Sequence, residues 1–245
     1  MLRFLTAIPV HNEEKYIAAV LRQTLEVVPD VLVVDDGSTD RTAQILARFP
    51  QVRVVRHERN LGYGAALATA FRFAVDANYD AVVTMDCDGQ HQPGLIPRLL
   101  RSLPDADIVS GSRYLRPPPP DAHIPPERRR INQLITNLIN DLFGWELTDA
   151  FCGFKAYRRS VLEQLVVTEP GYAMPIEVWV QAAHHGWRIR EEPVPVIYLD
   201  QTRAFGGALD DPEKRLAHYL DVLKASVQRW VPNLLDRLLE REVVF

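Results

Sequence analysis

The sequence predicts an α/β domain with a mainly parallel central sheet and helices on both faces. Three observations carry this expectation. Short apolar runs alternate with longer amphipathic stretches through the first half of the 245-residue chain. The runs are rich in Val, Ile and Leu and include continuous apolar stretches, as strands buried on both faces do. The connections after them collect Asp, Asn, Gly and Ser, at the strand ends where open parallel sheets place their ligands.

The elements follow in order. Residues 2–9 read as the first strand, and Tyr16, Ile17, Val20, Leu21 and Leu25 at helical spacing predict a helix over 15–27 with Asn12 as its N-cap. Val31-Leu32-Val33-Val34 is the second strand, and a helix over 39–49 follows, with Ser38 or Thr39 to cap it. Strands over 52–57, 81–85 and 107–110 and helices over 62–78 and 93–103 continue the alternation. The rhythm breaks at Arg116-Pro117-Pro118-Pro119-Pro120, because proline fixes φ and removes the donor a sheet interior needs. Residues 113–126 therefore read as a long loop, of a length often found in functional lids. A helix over 127–143, strands over 151–157 and 188–198, a helix over 176–185 and an amphipathic pattern from Pro212 onward complete the chain. This second half is too discontinuous to hold its own core, so residues 1–245 read as a single domain without internal repeats.

Composition narrows the function. Hydrophobic residues make up 47% and charged residues 24%, ordinary for a globular protein. A net charge of −4 gives no reason to expect nucleic acid, which calls for a basic surface. Cys87 and Cys152 stand too far apart for a CxxC or a disulfide framework and read as reduced thiols of a cytoplasmic protein. The first strand begins too early for a signal peptide, and no apolar run approaches the roughly 20 residues of a bilayer span. The expected location is the cytoplasm, with room for peripheral contact at the inner membrane surface.

The chemistry gathers in Met85-Asp86-Cys87-Asp88-Gly89-Gln90-His91, which ends a buried strand with two carboxylates one residue apart. On extended backbone such residues point the same way and repel each other unless a cation lies between them. Hard oxygen donors with open positions suit Mg²⁺ or Mn²⁺, ions that also bridge to substrate phosphates. In isolation the pair would read more readily as a solvated turn with two acidic residues. Two further loops converge on the same sheet edge: Pro9-Val10-His11-Asn12-Glu13 and Asp35-Asp36-Gly37-Ser38-Thr39-Asp40. Asp36 could accept from a nucleobase imide or a ribose hydroxyl. Leu61-Gly62-Tyr63-Gly64-Ala65 lacks the G-x-G-x-x-G spacing and follows the third strand, which argues against a nicotinamide dehydrogenase. A nucleotidyltransferase would need a Gly-rich basic loop after the first strand, and Pro9–Glu14 has none. The intact acidic pair argues against a non-catalytic nucleotide-sugar binder.

Taken together, Pro9…Asn12-Glu13, Asp35-Asp36-Gly37-Ser38-Thr39-Asp40, Asp86-Cys87-Asp88-Gly89-Gln90-His91-Gln92-Pro93 and Ser110-Gly111-Ser112-Arg113-Tyr114 resemble a family 2 glycosyltransferase with the GT-A (Rossmann-like) fold. Within that family the chain is most similar to the dolichyl- or polyprenyl-phosphate mannosyl- and glucosyltransferases, and Asp149-Ala150-Phe151-Cys152-Gly153-Phe154-Lys155 resembles their Asp-x-x-x-Gly-Phe-Arg segment. The likeness covers roughly residues 1–200.

The resemblance implies roles. Residues 1–112 would bind the nucleotide sugar, GDP-mannose or UDP-glucose, and residues 113–245 would shape the acceptor side. Pro9, Asn12, Glu13 and Asp36 would hold the nucleoside, and Asp86, Asp88 and Gln90 a Mg²⁺ or Mn²⁺ ion carrying the diphosphate. Asp88 and Arg113 would act at the reacting centre, Arg113 near the phosphates or the acceptor. Transfer would invert the anomeric configuration. A lipid phosphate acceptor would be anionic already, whereas a hydroxyl on a soluble saccharide or small molecule would need a base. Asp149 is the candidate for that duty or for positioning the acceptor, with a local turn role as the plain alternative. Glu177 is read evenly as structural or functional. Arg128-Arg129-Arg130 could attract a phosphate or an anionic membrane, or simply begin a solvated helix. Arg203 in Arg203-Ala204-Phe205-Gly206 resembles an Arg-x-x-Gly element near the active site of lipid-phosphate enzymes. Those relatives continue with Ser-Lys where this chain has Gly207-Ala208, and they carry Thr-Ser-Gly-Phe-Arg where it has Phe-Cys-Gly-Phe-Lys.

Overall fold

The computed structural model describes residues 2–117, 119, 124–198 and 204–242. Seven strands form one sheet in the order β3-β2-β1-β4-β6-β5-β7. They are β1 (Phe4–Val10), β2 (Val31–Asp35), β3 (Arg53–Arg56), β4 (Ala81–Thr84), β5 (Ile108–Ser112), β6 (Lys155–Arg158) and β7 (Ile189–Pro193). The β1–β2, β2–β3, β1–β4 and β5–β7 pairs are parallel, while β6 runs antiparallel to both β4 and β5. The expected mainly parallel α/β architecture is the observed one, with β6 as the single reversed strand.

Side-chain alternation gives the sheet two buried faces. Leu5, Ala7, Leu32, Val34 and Val82 enter one core, whereas Ile8, Val10, Val31, Val33 and Val83 enter the other. The first core is covered by α3 (Tyr63–Asp76), α5 (Pro126–Phe143), α6 (Arg159–Leu162), α7 (Met174–His185), α8 (Pro212–Trp230) and α9 (Leu235–Glu242). The second is covered by α1 (Ile17–Val27), α2 (Thr42–Leu46) and α4 (Ile96–Ser102). Small residues on the buried side of α3, namely Gly64, Ala66, Ala70 and Ala74, fit that helix closely against the sheet. Truncating a side chain such as Leu32, which is fully buried, would cost about 2–5 kcal/mol.

Local chemistry sets the helix ends. Proline opens α5 and α8, where a missing N–H costs nothing, and the Asp211 side chain caps α8 by accepting from Glu213 N at 2.9 Å and Lys214 N at 3.1 Å. Gly144 ends α5 in the left-handed region at φ 70°.

Several boundaries differ from the sequence reading. Asn12 does not cap α1, which begins at Ile17 with no side-chain cap. Its own φ is 56°, and its Oδ1 instead accepts the Thr39 N–H at 2.8 Å. Neither Ser38 nor Thr39 caps α2; Asp40 Oδ1 receives the Thr42 N–H at 2.9 Å, and Ser38 Oγ receives the Asn12 N–H at 3.0 Å. These exchanged hydrogen bonds tie the loop after β1 to the loop after β2. The strand expected over 151–157 starts only at Lys155, because Phe151 N turns back to Asp149 Oδ1 at 3.2 Å. The strand expected over 188–198 ends at Pro193, where proline removes ladder donors.

Candidate active site

Strand order reverses between β1 and β4, since β2 and β3 lie on one side of β1 and all later strands on the other. At such a switch point the loops after the two strands part and leave a crevice. A cleft of about 620 Å³ opens there, within the usual range for small-molecule sites. Pro9, Glu13, Asp36, Asp86, Asp88 and Gln90 line its sheet-edge side, and Arg113, Arg128, Asn132 and Arg215 line the part built after β5.

Asp36 is almost fully buried at 3% exposure. Its Oδ1 receives Leu61 N at 2.9 Å and His57 Nδ1 at 2.6 Å, and its Oδ2 receives Gly62 N at 2.8 Å. The carboxylate thus fixes the loop leading into α3 while still forming part of the cleft wall. Gly37 allows the close approach beneath it: a Cβ there would lie 2.3 Å from the Arg59 carbonyl carbon. Glu13 is buried, and its N–H donates to Thr42 Oγ1 at 2.8 Å.

The acidic pair has a built support. Tyr63, at the start of α3, donates its hydroxyl to Asp86 Oδ1 at 2.9 Å. Burial, and then the Asp86 charge, push the Tyr63 phenol well above its ordinary pKa, so it stays a neutral donor. Asp86 N donates to His91 Nδ1 at 3.0 Å, and the His91 ring stacks on Phe154 at 5.1 Å. His91 is therefore part of the loop's foundation. Asp88 Oδ1 accepts Gln90 N at 3.0 Å, and Gly89 takes φ 76° to turn the loop. Among the described residues no group of three or more His, Cys, Asp or Glu is placed to hold a metal ion by itself. Two carboxylates and a neighbouring amide are nonetheless the donor set a Mg²⁺-type ion takes when phosphate and water supply its other ligands.

Behind the other wall lies Asp149, at 0% exposure and outside the cleft lining. It receives Arg113 Nε at 2.7 Å, Arg113 Nη2 at 2.9 Å, Arg113 N at 3.1 Å, Asn132 Nδ2 at 2.7 Å and Phe151 N at 3.2 Å. Burial works to raise its pKa, and the Arg113 charge with these hydrogen bonds more than reverses that, leaving it at about 2. A carboxylate so saturated has no capacity to take a proton near neutrality, contrary to the expectation of a base there. Glu177 is likewise buried outside the cleft lining, receiving Thr168 N at 2.8 Å, Glu169 N at 2.9 Å and the Thr168 hydroxyl. Lys155 is buried against Trp179 and bonded to the Cys152 carbonyl, so the departure from the Gly-Phe-Arg pattern falls behind the wall.

A family model described as glycosyl transferase family 2 matches residues 6–166. The chain belongs to glycosyltransferase family 2. The undecaprenyl-phosphate mannosyltransferase of Micrococcus luteus is 33% identical over 221 residues, spanning 86% of this chain and 90% of that protein. The polyprenol monophosphomannose synthase of Mycolicibacterium smegmatis is 33% identical over 204 residues, spanning 78% of this chain and 76% of that protein. Among solved structures, glucosyl-3-phosphoglycerate synthase from Mycobacterium tuberculosis, in complex with Mn²⁺, UDP-glucose and phosphoglyceric acid, superimposes with a TM-score of 0.71. That alignment covers 92% of this chain and 79% of the other at 21% identity, a likeness of fold. No helix of the described residues is long and apolar enough to cross a membrane.

Of the residues the sequence of this glycosyltransferase singles out, Pro9, Glu13, Asp36, Asp86, Asp88, Gln90 and Arg113 line the one cleft, while Asn12 and Asp149 do not. Asn12 is an exposed clamp on the 38–40 turn outside the cleft lining, and Asp149 is a buried support. Arg203 lies outside the described residues. Tyr63, Phe205 and Arg215 were missed. Tyr63 had a signal, since it sits between the two glycines of Leu61-Gly62-Tyr63-Gly64, where a helix N-terminus approaches other backbone.

Proposed function

We propose that this glycosyltransferase moves a hexose, mannose or glucose, from GDP-mannose or UDP-glucose to the phosphate of a polyprenyl or dolichyl chain, with inversion at the anomeric carbon. The polarity of the cleft carries this reading. Two carboxylates stand at the β4 end and guanidinium groups on the wall built after residue 112. An anionic acceptor and an anionic diphosphate need such separate counter-charges. The relatives' names, with their polyprenyl-phosphate substrates, point the same way.

In this reading residues 1–112 hold the nucleotide sugar, with Pro9, Glu13 and Asp36 around the nucleoside. Asn12 acts indirectly, by holding the Thr39 N–H and with it the loop beside Asp36. Asp86, Asp88 and Gln90 would hold Mg²⁺ or Mn²⁺, which as a Lewis acid supplies stabilisation of the charge developing on the departing diphosphate. Tyr63 orients Asp86 for that duty. Residues 113–245 shape the acceptor side. Arg113, held flat by Asp149, presents fixed positive charge, and preorganised charge of this kind costs no rearrangement as the reaction proceeds. A phosphate oxygen is a nucleophile without deprotonation, so the absence of a free base at Asp149 suits this acceptor better than a hydroxyl. The enzyme would meet its lipid by peripheral contact with the membrane surface.

The test is a donor screen with Mn²⁺ and Mg²⁺, with and without a short-chain polyprenyl phosphate. Labelled sugar entering the organic phase is the expected result. Nucleoside diphosphate release with all label in water would replace the lipid by a soluble acceptor.

A further inference from the structure

Arg215, in the first turn of α8, is 3% exposed and contributes to the cleft wall. Its Nη1 donates to the Leu209 carbonyl at 2.8 Å, but its Nη2 is buried and meets no acceptor. Arg215 forms no ion pair among the described residues. Buried guanidinium groups are ordinarily paired, because an uncompensated charge away from water is costly. What covers Arg215 is a ring: Phe205 lies 4.5 Å from its guanidinium carbon and 4.8 Å from that of Arg128. The negative face of an aromatic ring is a weak substitute for an anion. Phe205 also rests edge-on against Tyr172 at 5.3 Å and is followed by Gly206 at φ 94° and Gly207 at φ 62°. Two consecutive glycines in conformations that other residues seldom adopt allow this strap to pivot.

We propose that Arg215, together with Arg128, receives the phosphate of the acceptor, and that the Phe205 ring holds that position until the acceptor arrives. The inference deepens the acceptor reading above and rests on it. The recognised chemistry is a phosphate monoester, carried on a lipid or on a small soluble molecule.

The experiment is calorimetric titration of the full chain with farnesyl phosphate and, separately, with 3-phosphoglycerate. Arg215→Gln should weaken whichever phosphate the wild type binds by roughly 10- to 100-fold, the worth of a charged hydrogen bond. Arg215→Lys should recover part of that loss, while the affinity for UDP or GDP stays within about twofold in both variants. Phe205→Ala should tighten phosphate binding roughly 2- to 10-fold, the reverse of a lost cation–π contact, and should do so only when Arg215 is present. Farnesyl phosphate binding far better than phosphoglycerate would assign a lipid carrier, and the converse a soluble one. Unchanged phosphate affinity in a folded Arg215→Gln would overturn the inference. So would a parallel loss of nucleotide and phosphate binding with a lowered melting temperature, which would make Arg215 a scaffold residue. Sugar transfer to a phosphate at wild-type efficiency in Arg215→Gln would leave the transferase reading standing and remove this one alone. Transfer by the wild type to uncharged acceptors only would remove the phosphate reading itself.

Discussion

Arg113 and Asp149 form a two-pronged ion pair in which Nε reaches Oδ2 at 2.7 Å and Nη2 reaches Oδ1 at 2.9 Å, with the carboxylate wholly buried. The pair makes one wall of the cleft rigid, and it does so at positions that a protonatable base would need to occupy freely.

Asp149→Asn should therefore destabilise the fold by roughly 3 kcal/mol, because it leaves the Arg113 charge without its buried partner. Urea unfolding measures this. The wild type should show the linked pH dependence. A folded pKa of about 2 lies below the ordinary carboxylate value, so the stabilisation is complete above about pH 5 and is lost as pH falls toward 2. A wild-type unfolding midpoint that does not fall over that interval would contradict the assignment.

Asp88→Asn should abolish sugar transfer with little change in melting temperature. Asp88 is only half-buried, and Asn keeps the oxygen that accepts the Gln90 N–H. EDTA should likewise stop the wild type, and Mn²⁺ or Mg²⁺ should restore it. Near-wild-type turnover in the variant would take the divalent ion out of the mechanism.

Tyr63→Phe deletes the hydroxyl that orients Asp86 while keeping the ring stacked on Tyr172 at 5.5 Å. Mn²⁺ affinity in the presence of nucleoside diphosphate should fall about tenfold, the usual effect of losing an outer partner of a metal ligand. Calorimetry with UDP present reads this directly.

Gly153→Ala should be worse than its single methyl implies. A Cβ there would sit 2.6 Å from Asp86 Oδ2 and 2.7 Å from the Tyr63 hydroxyl oxygen. Overpacking of this order costs about 1–3 kcal/mol. Because the atoms displaced are Asp86 and its support, transfer should fall more steeply than stability.

What the sequence disclosed divides by range. β1, β2 and β4 were legible because their apolar runs and flanking turn residues are local signals. The acidic pair was legible because its spacing is local too. The reversed direction of β6 was not, since pairing partners are decided by distant packing: Val82 opposes Tyr157 across 75 positions. Asn12 looked like a cap because its residue type suits one, yet a left-handed φ and the Thr39 N–H claimed it. Asp149 read as a candidate base, an acceptor-positioning residue or a local turn Asp, because nothing nearby in sequence foretells the converging donors of Arg113 and Asn132. Arg215 was hidden in an amphipathic pattern, where one basic residue on a helix is indistinguishable from a solvated one.

The insertion of β6 between β4 and β5 has a consequence for engineering. The strand that pairs with β4 on the side away from β1 comes from the rear of the chain, so a fragment ending before the proline-rich loop would leave β4 as a bare edge, inviting aggregation. Donor and acceptor preferences consequently cannot be exchanged between relatives by splicing at residue 112. A working chimera must keep Gly153, Tyr63 and Asp86 from one parent, because those three were fitted to one another atom by atom.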